Sequence, residues 1–513
     1  MVDDPAAVPV ARQSYTQILK STTLVGLSSV VSIAFSIVRL KVLAVLLGPA
    51  GVGLFGLYNL IADFSSSLAG VGVQSSGVRQ IAEAVGTGDA QRIARTASVL
   101  KRVSIVLGVI GGLLLVAVSA PVSMLTFGTG QHAAGVALLG LAVFLRLAAG
   151  AQSALIQGTR RIADLARMTI LGALFSTAVS IPLVYFFGEN GIVPSLIAMA
   201  LLSLLMALWY SRKIALQPAS VSLPQLRQET AALLKLGFAF MASGLLTVGA
   251  AYAIRILILQ RAGVEAAGFY QSAWAIGGLY AGFILQAMGT DFYPRLTAAA
   301  VDNGECNRLV NEQAQISMLL AGPGVIVTMT FAPLVIILFY SAEFAPAVTL
   351  LRWICLGMLL RIVAWPIGFI VLAKGAQQIF FWTEVAAAVV NVGLAWLLLP
   401  VLGLNGAGVA FFGLYIWHGV LMYVIVRRLS GFRYSAANLK LGLVFLPAGA
   451  IVFAAVSVLP FWPATGIGAI AVVIASIYSL IELLKLLPLQ SFPPSLQRWA
   501  SRIAIVTGAR REG

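Results

Sequence analysis

Residues 79–92 read RQIAEAVGTGDAQR, and residues 295–308 read RLTAAAVDNGECNR. At a constant offset of 216, Arg79 falls on Arg295, Ala82 on Ala298, Ala84 on Ala300, Val85 on Val301, Gly88 on Gly304 and Arg92 on Arg308. Asp89 meets Glu305 and Ile93 meets Leu309 in the same gapless register. These stretches are polar, so shared hydrophobicity cannot produce the match. An internal repeat of this period changes the fold question for the whole chain. Working outward at an offset of 215, Gly48 meets Gly263 and Gly53 meets Gly268. Farther on, Gly188-Glu-Asn-Gly meets Gly403-Leu-Asn-Gly.

Long uncharged runs flank these loops. Val103–Leu145, Val385–Val426 and Leu441–Ile481 carry no Asp, Glu, Lys or Arg. Each is long enough for two helices at about 20 residues per crossing. Shorter runs lie at Met168–Gly188, Asn190–Ser211, Leu236–Ile254, Ala266–Thr290 and Gln313–Ala342. With the spans that hold isolated charges, near 21–47, 52–77, 347–372 and 376–399, the pattern predicts about fourteen transmembrane helices. The composition agrees: of 513 residues only 10% are charged and 60% are apolar, with mean hydropathy +0.98. A soluble globular chain carries about a quarter charged residues. Soluble enzymes, disordered chains and disulfide scaffolds are thereby excluded; Cys306 and Cys355 are too few for a framework.

The expected fold class is an all-α polytopic membrane protein. Two six-helix lobes form a parallel repeat, because an even number of crossings separates them, and two C-terminal helices follow. The expected organisation is an N-terminal tail at 1–18, an N-lobe at 19–213, a linker at 214–233, a C-lobe at 234–428, extra helices within 437–487 and a tail at 488–513. The linker and the last tail mix Leu, Trp499 and Arg at roughly helical spacing and read as interfacial helices. Met1–Gln13 opens on Asp3 and Asp4 without a basic n-region, so the first apolar span reads as an uncleaved helix.

Loop charge sets orientation. With the N-terminus inside, 26 of the 33 Lys and Arg fall on the cytoplasmic side, one, Arg261, falls outside, and six lie within spans. That bias places both termini in the cytoplasm. It also accounts for the net charge of +16 without nucleic acid.

The six basic residues inside spans are Arg39, Lys41, Arg146, Arg255, Arg352 and Arg361; Asp63 and Glu384 are the acids. A charge at mid-span costs about 2.5–3.5 kcal/mol on insertion scales, so such residues need a reason. Lys41 and Arg352 lie near outer helix ends and can snorkel. The other four form two repeat pairs: Arg39 with Arg255 at 216 and Arg146 with Arg361 at 215. A guanidinium binds phosphate oxygens two at a time. The four arginines are therefore the candidate cationic site for an anionic head group, phosphate or pyrophosphate. The competing reading is internal charge pairing, with Asp63 and Glu384 as neutralisers. Asp63, which shares a helix face with Asn59, is alternatively a proton or sodium coupling site. Trp365, four residues beyond Arg361, is placed to stack on it. His418 reads as a packed polar contact. No nucleotide loop, metal motif or nucleophile elbow occurs, so neither a metal, a cofactor nor an enzymatic activity is expected.

The stretch 31–92, VSIAFSIVRLKVLAVLLGPAGVGLFGLYNLIADFSSSLAGVGVQSSGVRQIAEAVGTGDAQR, resembles the Wzx-type O-antigen translocases, or polysaccharide biosynthesis proteins. The resemblance rests on Arg39-x-Lys41, the Gly-Pro-x-Gly-x-Gly turn from Gly48 to Gly53, Phe55-Gly-Leu-Tyr58 and Gly77-Val-Arg79. It implies a MATE-like fold within the multidrug, oligosaccharidyl-lipid and polysaccharide transporter superfamily. It further implies a flippase that carries an undecaprenyl-diphosphate-linked oligosaccharide, an O-antigen or related repeat unit, from the cytoplasmic to the outer leaflet of a bacterial inner membrane. The implied mechanism is alternating access of two lobes around a cationic cleft. The implied partners are the lipid-linked oligosaccharide, membrane lipids and other polysaccharide assembly proteins, with possible H+ or Na+ coupling. Many relatives have twelve helices; an extra pair is also seen in lipid II flippases, so lipid II stays an alternative cargo. A multidrug exporter of the same superfamily is a second alternative, disfavoured for cationic drugs by four deep arginines against two acids. A membrane glycan polymerase or ligase is disfavoured by the lack of a long outer loop.

Overall fold

The computed structural model describes residues 7–216, 222–287 and 292–486, and within them the secondary structure is helical. The expected tail at 488–513 and residues 217–221 of the expected linker lie outside the described residues. The helices in chain order are α1 (Ala7–Gly70), α2 (Val73–Gly86), α3 (Ala90–Ala117), α4 (Ser119–Phe127), α5 (Ala133–Gly158), α6 (Ile162–Phe187), α7 (Ile192–Ser211) and α8 (Leu223–Ala287). They continue as α9 (Tyr293–Ala298), α10 (Asn303–Thr330), α11 (Ala332–Phe339), α12 (Ala347–Ala373), α13 (Gln377–Leu402), α14 (Asn405–Ser430), α15 (Ala436–Val458) and α16 (Phe461–Leu486).

Ten helices among the described residues are long and apolar enough to cross a membrane, or eleven if the bent pair α10–α11 counts as one span. The sequence reading expected fourteen, and the difference lies in how the backbone treats three expected turns. At Gly48 (φ 63°, ψ −171°) and Gly263 (φ 86°, ψ 177°) a single glycine leaves helical geometry, and the helix resumes at once. Only glycine takes a positive φ of this kind without steric cost, and Pro49 is pre-set to restart the helix after Gly48. Between α6 and α7 the chain passes through a short 3₁₀ turn, Gly188–Gly191. The repeat is visible in these breaks: Gly188 (φ 56°) and Gly403 (φ 57°) end α6 and α13 in matching backbone geometry.

The polar repeat loops also fold alike. Asp89 accepts from Arg92 N–H at 2.8 Å to cap α3, and Asp302 accepts from Gly304 N–H at 2.8 Å and Glu305 N–H at 3.2 Å to cap α10. An N-cap carboxylate satisfies amides that the first turn leaves unpaired.

Helices pack through small residues and present bulky ones outward, as lipid demands. Where α3 crosses α5, a Cβ at Gly112 would lie 2.6 Å from Gly140 O. Exposed on the same helices are Val106, Leu113, Leu114, Leu138 and Leu141.

The backbone divides into two compact units, Met1–Gly268 with Phe339–Ser341, and Phe269–Leu338 with Ala342–Gly513. The division falls inside α8, and residues 223–233 of the expected linker form the start of that helix. The first unit has a core that includes Leu43, Phe55, Ile61, Val136, Leu139 and Leu196.

The two C-terminal helices are built into the second unit. Ser479 Oγ donates to Leu319 O, Gly322 leaves room for the Phe445 ring, and Gly468 for Thr330. Arg352 does not end in solvent. Its Nε lies 3.4 Å from Met329 O and one terminal nitrogen lies 3.3 Å from Val456 O, near the C-terminal ends of α10 and α15. Those carbonyls lack intrahelical donors, so a cation there offsets both the free acceptors and the helix dipoles.

Candidate functional site

In the first unit the deep charge belongs to Arg146, midway along α5. Its guanidinium donates to Asp63 Oδ1 at 2.5 Å and to Asn59 Oδ1 at 2.8 Å. Asn59 Nδ2 in turn donates to Asp63 Oδ2 at 3.0 Å. Asn59 and Asp63 sit one turn apart on α1, which is why two groups from one face reach a single arginine. The fork geometry satisfies two guanidinium nitrogens and leaves further N–H groups. The pair remains partly open, with side-chain exposures of 23% for Arg146 and 44% for Asp63.

Arg146 also lines a cavity of about 280 Å³ with Ser66, Ser67, Gln74, Ser75 and Ser104. The cavity lies where α1 ends and α2 begins. Val71 (φ 46°) and Gly72 (φ 61°) both have left-handed backbone there. Gly72 is required: a Cβ would collide with Gly237 O and come within 3.0 Å of Met241 N on α8.

In the second unit Arg361, midway along α12, has different company. Its guanidinium carbon lies 3.9 Å from the Trp365 ring centroid and 5.5 Å from that of Tyr415. The stacking expected of Trp365 at i+4 is present. Tyr415 continues a run of ring contacts: Phe411 at 5.0 Å, then Trp274 at 5.1 Å, with His418 at 5.8 Å on the other side. His418 is buried with its ring against Tyr415, and its Nδ1 has no hydrogen-bond partner among the described residues. Glu384 lies within electrostatic reach of Arg361 but forms no ion pair with it among the described residues.

Repeat partners have thus kept the cation and exchanged its surroundings. The positions 215 beyond Asn59 and Asp63 hold Trp274 and Gly278, and those 215 before Trp365 and Tyr415 hold Gly150 and Ala200. Arg39 on α1 is half-buried, with one terminal nitrogen 3.5 Å from Met199 Sδ; Arg255 is half-buried on α8.

Residues 42–349 match the profile of a family described as polysaccharide biosynthesis protein. The chain belongs to this family. Among curated relatives, the lipid III flippase of Escherichia coli (strain K12) is 24% identical over 400 residues, covering 77% of this chain and 95% of the relative. The fold of this polysaccharide biosynthesis protein is similar to a lipid II flippase MurJ structure in an inward closed conformation. That likeness has TM-score 0.63 and 14% identity, over 90% of this chain and 100% of that one. It is also similar to an inward-facing multidrug resistance MATE family transporter of the MOP superfamily. There the TM-score is 0.60 and the identity 20%, over 78% and 95% of the two chains.

Several contacts in this family member were not readable from the sequence. Tyr58 OH lies 2.9 Å from His132 Nδ1, and the His132 ring packs 4.2 Å from Phe127. Thr126 Oγ1 and Tyr252 OH are hydrogen-bonded. Burial pushes the His132 imidazole below its usual range, with a smaller opposing pull from Glu189. The two hydrogen bonds join residues 74 and 126 positions apart, so no local spacing announces them.

Proposed function

We propose that this multi-pass membrane protein is a flippase for a polyprenyl-diphosphate-linked oligosaccharide, an O-antigen or related repeat unit. It would move its cargo from the cytoplasmic to the outer leaflet of a bacterial inner membrane, with both chain termini in the cytoplasm. The observation that carries the reading is the mid-span arginine present in both repeats, Arg146 and Arg361, in a chain that matches 95% of the length of a lipid III flippase.

The physics of the task supports it. A glycosyl diphosphate cannot enter hydrocarbon without losing its water hydrogen bonds, so it needs polar lining and a cation. The isoprenoid tail stays in the lipid throughout. An inside-negative potential favours outward movement of negative charge by about 2.3 kcal/mol per charge per 100 mV. Arg361, which stacks on aromatic rings and forms no ion pair with Glu384 among the described residues, is the better placed of the two to meet a phosphate. For Asp63, the three-way contact with Arg146 and Asn59 supports charge pairing over ion coupling. Arg39 and Arg255 are proposed as further cations along the path.

Deletion of the gene tests the reading. A polyprenyl-diphosphate-linked repeat unit should accumulate on the cytoplasmic side. Accumulation of a peptidoglycan precursor would instead assign lipid II, and no accumulating glycolipid would reject a flippase. Arg146→Ala and Arg361→Ala should each lower surface polysaccharide at unchanged membrane abundance. Normal polysaccharide in the double variant would remove these two residues from the site.

A further inference from the structure

The cavity at the α1–α2 break has a chemistry of its own. Among the described residues its one charged side chain, Arg146, already spends its charge on Asp63 at 2.5 Å. The remaining polar lining is uncharged: the hydroxyls of Ser66, Ser67, Ser75 and Ser104 and the amide of Gln74. Hydroxyls and amides both donate and accept. The break adds backbone of both kinds, since α1 ends there in carbonyls without helical donors and α2 begins in amides without helical acceptors. The α2 N-cap, Gly72, offers no side-chain bond to those amides. Leu107, Leu147 and Met241 add apolar lining.

A phosphate only accepts hydrogen bonds and seeks net positive charge. A sugar ring presents hydroxyls that donate and accept, and C–H faces that pack on apolar surface. The lining fits the second. At about 280 Å³ the cavity falls just below the range of about 300–1,000 Å³ that holds drug-sized ligands, which suits one ring. Ser66 lines the cavity, and a change of rotamer would turn its hydroxyl from its present closed position toward a ligand. That hydroxyl is buried with no hydrogen-bond partner, although an unmet buried hydroxyl costs stability.

We propose that the cavity bordered by Ser66, Gln74, Ser104 and Arg146 binds one sugar residue of the lipid-linked glycan through uncharged hydrogen bonds. The phosphates are held elsewhere. The proposal rests on the flippase reading and adds a division of labour to it: this cavity recognises sugar, and the arginines outside it, Arg361 foremost, recognise diphosphate.

Two variants test it in the purified full chain in lipid nanodiscs. Ser66→Ala removes the unmet hydroxyl. Gly244→Leu narrows the cavity at a lining position where an added Cβ meets nothing within 4 Å, so folding is spared. The two probes are the glycolipid fraction extracted from cells deleted for the gene, and undecaprenyl diphosphate without sugar. Ser66→Ala should keep or raise the melting temperature and weaken glycolipid binding about fivefold, the worth of one hydrogen bond, with the bare diphosphate unaffected. Gly244→Leu should bring glycolipid affinity down to that of the bare lipid. Equal weakening for both lipids would give the cavity to phosphate, and unchanged binding of both would leave it idle; either overturns the proposal. Failure of the flippase reading looks different, because the wild-type chain would then bind neither lipid.

Discussion

Gly53 and Gly268, partners at the repeat offset of 215, meet backbone to backbone. A Cβ on Gly53 would collide with Val264 O and lie 2.9 Å from Gly268 N; one on Gly268 would collide with Pro49 O and lie 3.2 Å from Gly53 N. Each glycine follows its helix break by five residues, so the repeat-related segments are packed against each other by the same residue type. Gly53→Ala or Gly268→Ala forces the two backbones apart. The expected loss is about 1–3 kcal/mol, the usual cost of overpacking, read as a lower melting temperature in detergent. Full stability in both variants would show that the contact is looser than described.

The Arg146–Asp63 pair should behave as a partly wet ion pair. Full burial would make removal of one partner cost about 3–5 kcal/mol. With Asp63 44% exposed, a coupling of about 1 kcal/mol is expected from a double-mutant cycle of Asp63→Asn and Arg146→Gln. Strict additivity of the two substitutions would remove the pairing.

Arg361→Lys preserves charge and loses the planar stack. A coupling of about 0.5–2 kcal/mol is expected between Arg361→Lys and Trp365→Ala in thermal unfolding. A lysine as stable as the arginine in both backgrounds would reduce the aromatic contact to proximity.

Arg352→Gln should loosen the C-terminal ends of α10 and α15 together. Hydrogen exchange at residues near Met329 and Val456 is the measurement. Faster exchange is expected at both sites, with a stability loss of about 1–2 kcal/mol for weak bonds from a charged donor. A change at one site alone would contradict the shared cap.

His132 predicts a pH dependence. Burial holds its folded-state pKa below the usual value of about 6.5, so the folded protein binds fewer protons than the unfolded one. That contribution to stability is present above pH 6.5 and is lost as pH falls through the folded value. Wild-type melting temperature should therefore drop more steeply on acidification below about pH 6.5 than that of His132→Gln. Parallel profiles would mean that burial leaves the imidazole unperturbed.

The membrane class, the helical content, the repeat and the positions of the buried charges were all legible in the chain. Each rests on a local quantity: apolar run length, the insertion cost of a charge, or identity at a fixed offset. The fate of Trp365 was also local, because four residues make one helical turn. The sequence marked Gly48 and Gly263 as matched punctuation, and the structure shows that one residue alone makes each helix break. The sequence could not tell that Arg146 meets a carboxylate while Arg361 meets rings. Asp63 and Tyr415 reach those arginines from other helices, and only packing decides which faces come together.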